Sequence, residues 1–331
     1  MKVAINGFGR IGRLVFRIAI DSGVNVVAVN DIYGAKDATY LLRHDSVYGK
    51  YAKKVDVKGG DIIVNGKRIK VLQERDPEKL PWKKLGVDVV VEATGAFRSR
   101  EGAGKHLSSG AKYVLITAPM KEGKADLTLV PGVNDKKLKK DNKIISIASC
   151  TTNCLAPMVK ILNDNFGIEN AFMTTVHAYT SSQSVVDGSA RKVERGRAAA
   201  VNIVPTTTGA SDAVIEAIPE LKGKIDGMAM RVPVISGSIT DLTARVNKNI
   251  NVEKVNNAFK KASKESMKGV LRYSEEVLVS SDIVGDSHSV IFNSGDTKVN
   301  GNLVKITGWY DNEYGYSSRV VDAIKMLKSW C

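Results

Sequence analysis

The chain has little with which to cross-link itself. Its 331 residues include three cysteines, Cys150, Cys154 and Cys331, an odd set without metal-ligand or thioredoxin-like spacing. That excludes a disulfide framework and suits a reducing compartment in which thiols stay free. Histidine is also scarce, at four, and no metal site is expected. No apolar run approaches the ~20 residues of a membrane-spanning helix, so no membrane partner is expected either. The chain opens directly on a strand-like run, Met1-Lys2-Val3-Ala4-Ile5, which leaves no room for a signal peptide and makes a cytoplasmic location the expectation.

Acidic residues are in deficit, 35 against 49 basic ones, for a formal charge of +14. A surplus of that size favours anionic partners: phosphorylated substrates, dinucleotides or nucleic acids. The lysine clusters Lys136-Lys137-Leu138-Lys139-Lys140 and Lys260-Lys261 lack interleaved aromatics. They read as solvated faces, so nucleic acid is not expected as the primary partner. The length exceeds the usual single core and predicts two domains.

Lys2-Val3-Ala4-Ile5-Asn6 has the pattern of a short buried strand, and Gly7-Phe8-Gly9-Arg10-Ile11-Gly12 follows at once. Ile11, Leu14, Val15, Ile18 and Ala19 then recur at helical spacing. Between a strand and a helix, this glycine pattern predicts a dinucleotide site. Gly7 permits the tight turn, Gly9 lets backbone approach a pyrophosphate, and Gly12 lets the helix pack on the strand. A second strand, Val24 to Asn30, ends in Asp31, placed to bind the adenosine ribose hydroxyls. Further buried parallel strands, Val87 to Ala93 and Tyr113 to Ile116, run into Thr94-Gly95-Ala96-Phe97 and Thr117. Ligands of doubly wound sheets lie at such carboxyl ends.

Cys150 stands where the strand-like run Lys143 to Ile147 gives way to an apolar helical pattern through Met158, Ile161 and Leu162. Ser149 is a natural N-cap. A thiol on a first helical turn faces the positive end of the helix dipole, which favours thiolate and predicts a lowered pKa. The competing reading is a small buried apolar residue. Cys154, one turn deeper, reads as packing. Ala171 to Tyr179 has the period of a strand and places His177 on one face with Thr175 and Tyr179. His177 reads as a general base or a structural residue; His44, His106 and His288 keep the structural reading.

The decapeptide Ala148-Ser149-Cys150-Thr151-Thr152-Asn153-Cys154-Leu155-Ala156-Pro157 resembles the active-site signature of the phosphorylating glyceraldehyde-3-phosphate dehydrogenases, and the similarity runs the length of the chain. The resemblance implies a Cys150 nucleophile and a His177 base at Val-His-Ala-Tyr-Thr. It places Gly7, Phe8, Gly9, Arg10, Ile11, Gly12, Asp31, Arg75, Thr94, Gly95, Phe97, Thr117, Ser189, Asn312 and Tyr316 at the cofactor. Asn312 takes the nicotinamide amide and Tyr316 a place against the ring. Ser149, Thr151, Arg195, Thr208 and Gly209 are assigned to the attacking phosphate, and Thr180, Ser182 and Arg231 to the substrate's own.

Hydroxyls and backbone N–H groups at the helix start after Val204-Pro205-Thr206-Thr207-Thr208-Gly209-Ala210 suit an anion cradle on their own chemistry, as do two fork-shaped guanidinium groups; the competing reading is a Thr-rich cap with surface arginines. The irregular Ser181 to Asn202 is, by resemblance, a loop that reaches a neighbouring subunit in a homotetramer. Two positions depart from the family. Ser182 stands where many bacterial relatives have Asp, and Ser189 where many NAD-specific members have Pro. Ser189 could bind a 2′-phosphate while Asp31 would repel it, so NAD is expected as cofactor, with NADP use left open.

The expected fold class is α/β: a Rossmann-type doubly wound parallel sheet plus an α+β catalytic domain with a mainly antiparallel sheet. The cofactor domain is expected over residues 1–149, joined by a C-terminal helix at 313–331, and the catalytic domain over 150–312. Alternating runs near Ser236 to Val246, Glu276 to Val279, His288 to Phe292 and Val304 to Trp309 are the expected strands of the second sheet. The expected activity is phosphate-dependent oxidation of D-glyceraldehyde 3-phosphate to 1,3-bisphosphoglycerate through a Cys thioester. The alternatives are an erythrose-4-phosphate dehydrogenase, against which Thr207-Thr208-Gly209 argues, or a nucleic-acid or surface-binding secondary role.

Overall fold

The computed structural model describes all 331 residues. They form two compact units. The first comprises Met1–Leu129, Asp135–Ala148 and Ser317–Cys331, the second Val130–Asn134 and Ser149–Tyr316.

The first unit begins with β1 (Val3–Asn6), α1 (Arg10–Asp21), β2 (Val26–Asn30) and α2 (Gly34–Arg43). A meander follows through β3 (Val55–Lys58), β4 (Asp61–Val64) and β5 (Lys67–Leu72). After the single-turn α3 (Trp82–Leu85) come β6 (Val89–Glu92), α4 (Arg100–Ser108), β7 (Tyr113–Ile116), β8 (Leu127–Thr128) and β9 (Ile144–Ser146). The sheet order is β3-β4-β5-β2-β1-β6-β7-β9-β8. All pairings from β5 to β8 are parallel, and only the β3–β4–β5 meander is antiparallel.

β1, β6 and β7 are buried along their whole length, as strands covered by helices on both faces must be. From β1 the chain moves out to β2 on one side and to β6 on the other. The sheet direction therefore switches at the carboxyl end of β1, leaving a crevice there.

In the second unit α5 (Cys150–Phe166) precedes β10 (Ile168–Ala178), β11 (Val204–Thr207), α6 (Ala210–Ala217), β12 (Ile225–Val232) and β13 (Ser238–Val246). Then come α7 (Val252–Lys264), β14 (Leu271–Ser274), β15 (Val290–Asn300) and β16 (Leu303–Tyr310). The sheet order is β11-β12-β10-β13-β16-β15-β14. It is antiparallel except at β10–β12 and β14–β15. α5 packs across β10, β13, β15 and β16, and Phe259 of α7 stacks on Phe292 of β15 at 3.9 Å between ring centroids. The final helix, α8 (Tyr314–Met326), belongs to the first unit from Ser317 onward.

One expected strand is displaced. Glu276 to Val279 is not a strand; Leu271–Ser274 takes the sheet edge beside β15 instead. Val277 is 97% exposed, so the apolar residues of the 276–279 stretch have no sheet face to cover, whereas Leu271 is buried.

Candidate active site

A cavity of about 400 Å³ opens at the switch point of the first unit, lined by residues that include Asn6, Gly7, Phe8, Gly9, Asn30, Asp31, Arg75, Thr94 and Phe97. Gly7 has φ +93°, and a Cβ there would lie 2.6 Å from the Thr94 backbone nitrogen. At Gly12 a Cβ would come within 2.0 Å of the Gly7 carbonyl oxygen, so α1 can start this close to β1 only with glycine. Gly9 faces open space, where a Cβ would meet no protein atom. It N-caps α1 without a side-chain hydrogen bond, so the N–H groups of the first helical turn suit an anion. The Asp31 carboxylate is held from both sides, accepting from Phe8 N at 3.2 Å and Tyr33 N at 2.9 Å. These features fit a dinucleotide: a diphosphate at the helix start and a vicinal diol at the carboxylate.

Arg10 and Ile11 do not line this cavity. The Arg10 guanidinium is bound to Asp45 at 3.0 Å. Asn6 and Asn30 do line it and were not singled out from the sequence. Asn30 donates to Asn6 Oδ1 and to the Glu74 carbonyl, both at 2.7 Å, and accepts from Glu74 N. An asparagine at the carboxyl end of each of two adjacent parallel strands was the available signal.

Beneath the cavity lies a buried polar network. Trp82 Nε1 donates to His106 Nδ1 at 3.0 Å, so that nitrogen is the acceptor and Nε2 carries the proton. His106 Nε2 then donates to Glu92 Oε2 at 3.0 Å, which also accepts from Asn6 Nδ2 at 2.6 Å. The other carboxylate oxygen accepts from Thr94 N at 2.8 Å and from Thr94 Oγ1. Four donors around an acceptor-only group fix the turn after β6, and with it the Thr94 edge of the cavity. Thr117 Oγ1 donates to the Glu92 carbonyl at 3.1 Å at the same strand end.

In the second unit Ser149 caps α5, its Oγ accepting from Thr152 N at 3.0 Å, and Cys150 is the first helical residue. Ala148, just before the cap, has φ +52°, a left-handed turn unusual for a residue with a Cβ. β10 carries His177 on the same buried face as Thr175. Its Nε2 lies 3.3 Å from Cys150 Sγ. His177 Nδ1 is 2.6 Å from the Ala178 carbonyl oxygen and 3.0 Å from Arg231 Nη1; with the proton on Nδ1 and donated to that carbonyl, Nε2 is the acceptor facing the thiol.

Burial, reinforced by the Arg231 charge, drives the His177 pKa down to about 3. Cys150 keeps part of its surface open, yet its packed surroundings raise the thiol pKa more than Arg231 and the backbone hydrogen bonds lower it. This corrects the expectation of a lowered thiol pKa. Desolvation is the largest influence on the thiol, and it opposes Arg231 and the backbone N–H groups of the first turn, which favour thiolate. Cys154 is fully buried and burial raises its pKa strongly.

The remaining polar residues form a chain away from this pair. Arg231 Nη1 donates to the Ala178 carbonyl at 2.9 Å and reaches Thr180 Oγ1 at 3.4 Å. Thr180 Oγ1 is 2.9 Å from Ser182 Oγ. Arg195 spans from Ser182 Oγ at 3.4 Å to the Thr207 carbonyl at 3.3 Å. Thr208 Oγ1 accepts from Ala210 N at 3.2 Å, and Gly209 N-caps α6.

Thr151 is turned inward, its Oγ1 3.0 Å from the buried Tyr310 hydroxyl. That hydroxyl also contacts Thr175 Oγ1 at 2.7 Å, and the Tyr310 ring lies edge-on to His177. Asn312 Oδ1 accepts from Gly237 N and Ser238 Oγ, which orients its amide. Tyr316 is buried and Ser189 is exposed.

A doubly wound sheet with a dinucleotide-shaped crevice, in a chain that also sets a thiol against a buried imidazole, defines the class as an NAD-binding oxidoreductase. Residues 1–100 match the family model described as glyceraldehyde 3-phosphate dehydrogenase, NAD binding domain, and residues 149–312 match the C-terminal domain of the same family. The chain is 54% identical over 330 residues to a glyceraldehyde-3-phosphate dehydrogenase of Thermotoga maritima, covering 98% of each chain. It is 53% identical over 325 residues to one of Bacillus subtilis, covering 97% of this chain and 96% of the relative. To one of Candida glabrata it is 49% identical over 331 residues, covering 99% of each. The chain belongs to the glyceraldehyde-3-phosphate dehydrogenase family.

Proposed function

We propose that this enzyme oxidises D-glyceraldehyde 3-phosphate with NAD and couples the oxidation to inorganic phosphate, yielding the acyl phosphate 1,3-bisphosphoglycerate. The observation that carries this reading is the 3.3 Å contact between Cys150 Sγ and Nε2 of His177. Cys150 adds to the aldehyde carbon as His177 accepts the thiol proton and passes it to the carbonyl oxygen. His177 then takes the hydroxyl proton as the carbon is oxidised to a thioester on Cys150. When bound, the nicotinamide supplies the hydride acceptor. Gly7, Gly9 and Asp31 would hold the dinucleotide, with Thr94 and Phe97 lining it.

The Cys150 backbone N–H and protonated His177 stabilise the developing oxyanion. Phosphate bound by Ser149, Thr151, Arg195, Thr208 and Gly209 attacks the thioester carbonyl, and the thiolate leaves and regains its proton from His177. Arg231 with Thr180 and Ser182 holds the substrate's own phosphate. The α6 N-terminus and the two guanidinium groups supply two anion-binding regions, as this substrate pair requires.

A cytoplasmic homotetramer is the assembly this reading implies. Val185, Val186, Val193, Val201 and Ile203 in the loop before β11 are each at least 68% exposed in the single chain, and contact with a further copy would cover them. Light scattering reads the subunit number. The test of the activity is NADH formation from glyceraldehyde 3-phosphate with and without phosphate. Reduction that needs no phosphate or arsenate, or that persists in Cys150→Ser, would overturn it.

A further inference from the structure

At the end of β11 two cations converge on one oxygen. Arg195 Nη2 donates to the Thr207 carbonyl at 3.3 Å, and Lys192 Nζ reaches the same oxygen at 3.5 Å while also donating to Thr207 Oγ1. The two charged groups are therefore at most about 7 Å apart. Such crowding is unfavourable unless an anion compensates it. The Lys192 pKa is lowered by burial first and then by Arg195, with Arg191 and Arg231 adding to the effect and Glu194 opposing it. Glu194, the one carboxylate in that set, is engaged by the Thr206 hydroxyl at 2.5 Å. Thr206 and Thr207 are neighbours on a strand, one buried and one exposed, so their side chains point to opposite faces.

β11 then passes through Thr208 and Gly209 into α6, whose N-cap has no side-chain hydrogen bond and whose first turn holds the exposed Asp212. Lys192 and Arg195 converge at the residue before Thr208 while Glu194 is already engaged by Thr206, which suits an oxyanion at this turn. An ammonium group has three donors, and Thr207 takes two of those of Lys192, leaving one for a ligand.

We infer that Lys192 is a direct ligand of the attacking inorganic phosphate, beside Arg195 and the Thr208–Gly209 turn. Position separates this phosphate from the substrate's own. Arg231 and Thr180 meet at the ends of β10 and β12, and Arg195 reaches toward them through Ser182. The side-chain hydrogen bonds of Lys192, from Nζ, go to Thr207, on the other side of Arg195. A flexible ammonium serves as a point charge for a mobile dianion that must enter, react and leave as part of the product.

This inference rests on the phosphate-dependent reading above, and the two can fail separately. At constant ionic strength, KM for phosphate, for glyceraldehyde 3-phosphate and for NAD are measured in wild type, Lys192→Met and Lys192→Arg. Lys192→Met should raise KM for phosphate by ~5- to 20-fold, the range for losing one partly exposed charged hydrogen bond. KM for the aldehyde should change by less than about twofold, and Lys192→Arg should recover most of the loss. Arsenate in place of phosphate should follow the same pattern. A folded Lys192→Met enzyme with unchanged KM for phosphate, or with only KM for the aldehyde raised, would overturn the assignment. Wild-type turnover independent of phosphate would instead sink the underlying reading.

Discussion

His177 Nε2 and Cys150 Sγ lie 3.3 Å apart although 27 residues separate them in the chain, because the first turn of α5 faces the carboxyl end of β10. His177 is held from behind by the Ala178 carbonyl and Arg231 Nη1, so Nε2 is already aimed at the sulfur. Replacing it with Asn should lower kcat by ~10²- to 10⁴-fold, the usual worth of a positioned base, with little change in NAD affinity. Steady-state kinetics and a dinucleotide titration check both parts.

The same pair carries a pH prediction. Burial raises the thiol of Cys150 above its ordinary value and holds His177 neutral down to about 3. In the cofactor-free protein, alkylation of Cys150 by iodoacetamide should therefore rise with pH into the alkaline range. Arg231→Leu should move that rise further up, since Arg231 favours the thiolate. A rate that stays level down to pH ~6 would mean that an ion pair forms already at rest.

Gly12→Ala places a methyl group 2.0 Å from the Gly7 carbonyl oxygen. Backbone must move to admit it, at a cost of about 1–3 kcal/mol or more, and the cradle for the diphosphate opens. Urea denaturation should show the loss of stability and calorimetry a weaker NAD affinity. Wild-type behaviour in both would mean that α1 does not approach β1 this closely.

Glu92→Gln keeps the shape of the side chain but puts an N–H₂ group opposite donors on one side of the carboxylate site. Whichever way the amide turns, it faces either Thr94 N–H or the Asn6 and His106 donors. An unsatisfied buried donor costs about 1–3 kcal/mol, and the Thr94 edge of the cavity loosens. The melting temperature should fall and Kd for NAD rise, with kcat at saturating NAD retained.

Asp31 faces the expected ribose site as a carboxylate braced by two backbone N–H groups, and a 2′-phosphate there would meet a negative charge. Asp31→Ser should weaken NAD and narrow its advantage over NADP. The exposed hydroxyl of Ser189 is the feature that would allow dual use. A wild-type kcat/KM preference for NAD beyond ~10³-fold, about 4 kcal/mol, would exclude it.

What the sequence by itself determined is local. The strand, glycine turn and helix from Val3 to Asp21 follow from a buried apolar run, residues with permitted dihedrals and a 3.6-residue apolar period. The same rules make Cys150 the first residue of a helix capped by Ser149. The apolar alternation at Glu276 to Val279 is not a strand, because pairing with β15 at Leu271–Ser274 decides where the sheet ends.

Only the tertiary structure decided which distant residues meet and in what state of protonation. No spacing rule brings Trp82, His106, Glu92 and Asn6 into one buried network, or Lys192 and Arg195 onto one carbonyl. The sign of the shift at Cys150 depends on how much water the folded chain excludes from the sulfur. Helix dipole and neighbouring cations favour thiolate, desolvation opposes it, and the larger effect becomes apparent only after packing.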